Sequence, residues 1–218
     1  MISKKDPMMI SCYHHILSYK DRIARSDKVP IHSLNLKDLK SNENVYIPQY
    51  VSGPSTYMTF HKIINSNFSN HHQIYTDASK QLDKTSCAIY DPHLESAVKY
   101  RINGNFTIFS EELFAMWKAL HYVSSLFERF ESKNILILSD SQISLLSKLE
   151  TKLNFIHNGI LESLKYLRNL GLEVSFMWTR AHSGIPGNEK VNYLAKEALE
   201  IDEIDSSPCV YSDIIPFF

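Results

Sequence analysis

The stretch Asn134–Asp140, Asn-Ile-Leu-Ile-Leu-Ser-Asp, constrains the chain more than any other. Ile135, Leu136, Ile137 and Leu138 leave a strand-length segment with no polar side, so the strand must be covered on both faces and sit centrally or in a parallel arrangement. A parallel strand needs long crossovers, usually helical. The segment also ends on a carboxylate, Asp140, and the carboxyl ends of strands are where open α/β sheets gather their ligands.

The flanking sequence supplies the rest of such a sheet. His72–Ser79, Thr85–Asp91 and Ser96–Ile102 are short β-prone runs separated by turn-like segments, which predicts three consecutive antiparallel strands. Ser110–Phe130 follows helical spacing through Leu113, Met116, Trp117, Leu120, Ser124 and Phe127, with Ser110 as the expected N-cap. Two helical stretches are expected after residue 140. In the second, Ile156, Ile160, Leu164 and Leu167 form a stripe that Gly171 terminates. Leu172, Val174, Phe176 and Trp178 then alternate with Glu173, Ser175, Met177 and Thr179, the pattern of a half-buried strand at a sheet edge. Pro186 opens a last helix whose buried face is Val191, Leu194, Ala195 and Ala198. The order βββαβααβα predicts an α/β fold: a mixed five-stranded sheet, three antiparallel strands followed by parallel crossovers, flanked by helices.

Residues 1–70 lack sustained periodicity and contain Pro30, Pro48 and Pro54, so they read as an irregular N-terminal extension or linker. The folded domain is expected over 71–202 and a C-terminal tail over 203–218. With 44% hydrophobic and 22% charged residues and no run of membrane-spanning length, the 218-residue chain reads as a soluble globular protein without a membrane partner. Ser11 to His15 interrupt any secretion-type apolar segment, and Cys12, Cys87 and Cys209 are odd in number and widely spaced. Both features point to an intracellular location, cytoplasm or nucleus. A net charge of −1 offers no global attraction to a polyanion, so nucleic-acid contact must come from a local patch or from bound metal.

Three carboxylates sit where such a metal would be held. Asp77 lies within the first strand, where a charge facing a covered sheet is costly unless paired or metal-bound; a solvated turn aspartate is the plainer alternative. Asp140 is placed to bind a ligand or to cap the next helix. Of Glu111 and Glu112, the column of Glu112 runs through Met116, Ala119 and Val123, whereas that of Glu111 runs through Lys118. Glu112 is therefore the one expected to face the sheet.

Ile74–Lys80, Ser110–Leu120, Ile137–Gln142 and Ala181–Ala198 occur in the order and spacing of the ribonuclease H family, and the chain resembles that family over about residues 72 to 200. It looks most like the domain carried by arthropod non-LTR retrotransposons. The resemblance implies hydrolysis of the RNA strand of an RNA–DNA hybrid, with Asp77, Glu112 and Asp140 holding two Mg2+ ions, or Mn2+, about 4 Å apart, and Asp77 bridging them. It implies a role for His182 in proton movement or product departure. It also implies an upstream reverse transcriptase in a longer polyprotein.

One departure from the family pattern stands out: Asn192 occupies the position of a fourth carboxylate. An amide oxygen can still coordinate a hard cation but brings no charge, so weaker metal binding and slower cleavage are expected. Glu189, three residues earlier, is a candidate for compensation, with a plain first-turn glutamate as the alternative. Ser79, Thr107, Ser141 and Lys196 are candidate hybrid contacts by position. Residues 141–170 hold only Lys148, Lys152, Lys165 and Arg168 as cations, so no basic protrusion is evident. Trp117 and Trp178 read as core, and His14–His15 and His71–His72 as lacking partners at metal-ligand spacing. The readings that compete with the nuclease are a weakened domain that binds nucleic acid without cutting it, a related metal nuclease or integrase-like enzyme on the same fold, and a transposon remnant.

Overall fold

The computed structural model describes residues 45–50, 55–102, 106–141 and 155–205. In chain order the elements are β1 (Val45–Tyr46), α1 (Ser55–Asn67), β2 (His71–Gln81), β3 (Lys84–Asp91), β4 (Ser96–Ile102), α2 (Ile108–Leu126), β5 (Asn134–Ser139), α3 (Phe155–Asn169), β6 (Glu173–Trp178) and α4 (Pro186–Ala198). The first of the two helical stretches expected after residue 140 lies outside the described residues.

The sheet runs β1-β6-β5-β2-β3-β4. The pairs β2–β3 and β3–β4 are antiparallel, as the three β-prone runs predict. The pairs β2–β5, β5–β6 and β1–β6 are parallel. Strand β5 is central and covered on both sides. Ile135 and Ile137 join one core with Ile74, Leu113, Met116, Leu120, Ile156 and Ile160, under α2 and α3. Leu136 and Leu138 join a second core with Phe60, Ile64, Met177, Val191 and Leu194, under α1 and α4.

Two expectations are corrected on the β6 side. The sheet has six strands, because β1 pairs with β6 through Val45↔Phe176 and Tyr46↔Met177, so β6 is not the edge. The stretch read as an irregular extension also contains α1, which buries Thr56, Phe60 and Ile64. Its apolar stripe is short, Phe60 and Ile64 with Ile63 partly buried beside them, too little for periodicity to stand out. Packing against the sheet supplies what propensity does not.

Two local features at helix ends complete the frame. Thr107, not Ser110, caps α2: it has an extended backbone and its side chain accepts the Ser110 N–H, while Ser110 itself is buried inside the first turn. Gly171 ends α3 as expected, at φ 77°, with the Leu172 N–H donating to Leu167 O. Among the described residues no helix is long and apolar enough to cross a membrane.

Candidate metal centre

The parallel register of β2 and β5 ends at Thr76↔Ser139, so the next residues of the two strands are Asp77 and Asp140. Glu112 reaches the same place from the first turns of α2, which packs across the sheet. The three carboxylates each offer an oxygen within 4.8 Å of the others. Asp77 is 5% exposed and Glu112 8%. The buried Oε2 of Glu112 has no hydrogen-bond partner among the described residues.

Such crowding is electrostatically costly for a bare protein. Burial pushes the Asp77 carboxyl up to about 8, and the neighbouring charge of Asp140 adds to the rise; the Ala78 backbone N–H and the Lys196 ammonium oppose it. Glu112 is raised well above the ordinary range, first by burial and then by Asp77, Asp140 and Glu111. Asp140 is raised by burial, with the Asn188 amide and His182 opposing. Two buried carboxylates and a half-buried one that resist ionising together, one with an orphaned oxygen, form an oxygen-only donor set that fits a hard divalent cation.

The other predicted residues are distributed unevenly around this cluster. His182, in the loop before α4, sits close enough to influence the charge of Asp140. It occupies the left-handed backbone region at φ 51°, a conformation a non-glycine residue adopts only under constraint. Lys196 is exposed yet within electrostatic reach of Asp77. Asn192 is half-buried on α4, one turn after Asn188 and one turn before Lys196, on the face that these two residues mark as turned toward the carboxylates. Ser79 lies two residues beyond Asp77 on β2 and accepts the Ser86 hydroxyl at its main-chain oxygen. The Ser141 N–H donates to Ser139 Oγ. Thr107 serves as the α2 cap.

Glu189 is used otherwise than compensation for Asn192 requires. Its Oε1 accepts the Gly184 N–H at 3.2 Å, which ties the first turn of α4 back to the preceding loop, and it does not join the carboxylate cluster. Glu111 also departs from expectation. Its column faces away from that of Glu112, but the residue is 1% exposed and forms an ion pair with Lys80 at 3.5 Å.

Sequence reasoning missed two supports of the site. Asn188, 1% exposed, accepts the Thr179 hydroxyl at 3.0 Å and turns its amide toward Asp140. Its place four residues before Asn192, on the same helical face, was the available signal. Trp178, read as core, donates its indole N–H to the main-chain oxygen of Asp140.

The glycine between the loop and α4 has a steric reason. A Cβ on Gly187 would run into the Tyr75 ring, so glycine there lets the start of α4 lie close on β2 and brings Asn188 to Asp140.

The RNase H family model matches residues 69–200, more than half of the chain. No curated protein matches it. The chain belongs to the RNase H family.

Proposed function

We propose that this member of the RNase H family is a divalent-metal-dependent endonuclease that hydrolyses the RNA strand of RNA–DNA hybrids. The observation that carries the reading is the convergence of Asp77, Glu112 and Asp140 from two strands and a helix, with a buried Glu112 oxygen left unpartnered. Mg2+ or Mn2+ held there would supply Lewis acidity toward a phosphodiester and an attacking water. Asp77, Glu112 and Asp140 would hold the metal, and the Asn192 amide oxygen would be a further ligand from the α4 side.

The chain's own groups then divide the work. Trp178 holds Asp140 by its backbone, and the Asn188 amide stands beside its side chain. His182, on the strained loop beside Asp140, carries a proton on its imidazole toward or away from the cleaved phosphate. Ser79, Ser141 and Lys196 flank the carboxylates and are placed to contact a hybrid, where 2′-hydroxyls distinguish RNA from DNA. Thr107 is already committed to capping α2, which weakens its case as a contact.

A second reading, a domain that binds nucleic acid without cutting it, is favoured by Asn192 and by the positive charge of Lys196 one turn away. A labelled hybrid assay with Mg2+ or Mn2+ separates the two. Cleavage of the RNA strand that Asp77→Asn abolishes supports the nuclease. Binding without cleavage, unchanged by Asp77→Asn, refutes it. The likeness to arthropod non-LTR elements extends the proposal to a polyprotein carrying a reverse transcriptase upstream, which sequencing of the transcript tests.

A further inference from the structure

We propose that His72, Asp91 and His93 form a second metal site, for a late first-row dication such as Zn2+, at the other end of β2 from the carboxylate cluster. His72 lies five residues before Asp77 along an extended strand, roughly 16 Å away. The site is therefore separate from the one described above.

The hairpin register creates it. Strands β2 and β3 pair antiparallel up to Tyr75↔Tyr90, and continuing that register past the last pair sets position 72 across from position 93. The two imidazoles stand with ring centroids 4.6 Å apart and planes inclined by 35°. Two imidazoles bound to one tetrahedral zinc through bonds of ~2 Å stand about 5 Å apart between ring centroids, so the rings need only a small adjustment to share an ion. Asp91 adds the carboxylate, and the three residues each offer a ligand atom within 4.8 Å of the others.

Asp91 is held in place from every side. It is fully buried, yet Oδ2 lies 2.8 Å from His72 Nε2 and accepts the Tyr122 hydroxyl, while Oδ1 accepts the backbone N–H groups of His93 and Leu94. The same two backbone bonds fix the turn that carries His93. Beyond the stacking on His72, the His93 ring has no hydrogen-bond partner among the described residues.

An ion here takes the place of the proton between His72 Nε2 and Asp91 Oδ2, and His72 then carries its proton on Nδ1. His93 closes from the turn. A cleft of about 590 Å³ reaches His72 and His93 and gives the ion a path from solvent. Its other walls include His71, Arg129 and Glu131. A nitrogen-and-oxygen donor set favours Zn2+, Ni2+ or Cu2+ over Mg2+, so the chain would sort metals between its two ends.

The test is titration of the full, tag-free chain with Co2+ under excess Mg2+, read by visible d–d absorption and by displacement with Zn2+. One equivalent of Co2+ should bind, and Zn2+ should displace it. His93→Ala, and separately His93→Gln, should weaken it by at least about tenfold, while Asp77→Asn leaves it unchanged. His93 is an exposed turn residue, so circular dichroism should show both variants folded. Absence of the Co2+ signal, its persistence in both His93 variants, or its loss with Asp77→Asn would each overturn the proposal. Because the readout is not cleavage, it stands or falls apart from the nuclease reading.

Discussion

The indole Nε1 of Trp178 donates to the main-chain oxygen of Asp140 at 2.9 Å, so the end of β6 fixes the backbone on which a β5 carboxylate is mounted. Tyr50 stacks on the same indole at 5.3 Å and donates its hydroxyl to Trp178 O. Trp178→Phe keeps most of the packing but removes the donor. It should cost about 1 kcal/mol of stability, lowering Tm by about 2–4 °C, and should reduce hybrid cleavage several-fold. Calorimetry and a single-turnover cleavage assay check the two effects; unchanged cleavage would show that Asp140 needs no anchoring from β6.

The raised carboxylates predict an inverted pH response for the metal-free protein. Asp77 takes up its proton at about 8 in the fold and near 3.8 in the unfolded chain. Between these values the native state binds more protons, so stability falls as pH rises from about 4 to about 8. Glu112 acts in the same direction. Thermal melts in chelator should show this decline, Asp77→Asn should flatten it, and Mn2+ or Mg2+ should restore stability at the alkaline end. A stability that climbs across this range in chelator would contradict the assignment.

Asn192→Asp should place a fourth carboxylate on the α4 face that Asn188 and Lys196 mark. The metal concentration giving half-maximal cleavage should fall at least about threefold, since an added charged oxygen ligand strengthens the site. The companion change Glu189→Gln should leave metal dependence untouched, because Glu189 serves the Gly184 N–H. Its effect belongs in the melting temperature.

Gly187→Ala directs a methyl into the Tyr75 ring. Overpacking of this kind costs about 1–3 kcal/mol, and the shift of α4 should carry Asn188 away from Asp140. Denaturant melts should record the first effect and cleavage the second, whereas Tyr75→Leu in the same chain should recover part of both by clearing the space.

What could be read from the sequence follows from which forces are local. Strand β5 is legible because burial on two faces writes an unbroken apolar run. Asp77, Glu112 and Asp140 are legible because strand ends and one helical column place them without knowledge of distant contacts. Helix α1 is not, because Phe60 and Ile64 gain their meaning only against Leu136, Leu138 and Met177. Glu111 is misjudged because its partner, Lys80, arrives from the far end of β2. His72 and His93 stand 21 residues apart in sequence, and only the hairpin register brings them face to face.

The short strand β1 and the helix after it change where this domain must be said to begin. A chain started at residue 69, where the family match begins, would keep every carboxylate. It would also leave the outer edge of β6 uncovered at Phe176 and Met177 and strip Phe60 and Ile64 from the second core. An uncovered strand edge beside a newly opened apolar surface favours self-association over native packing. Homology and packing thus draw different borders on this molecule, and the one drawn by packing takes in Val45 and Tyr46.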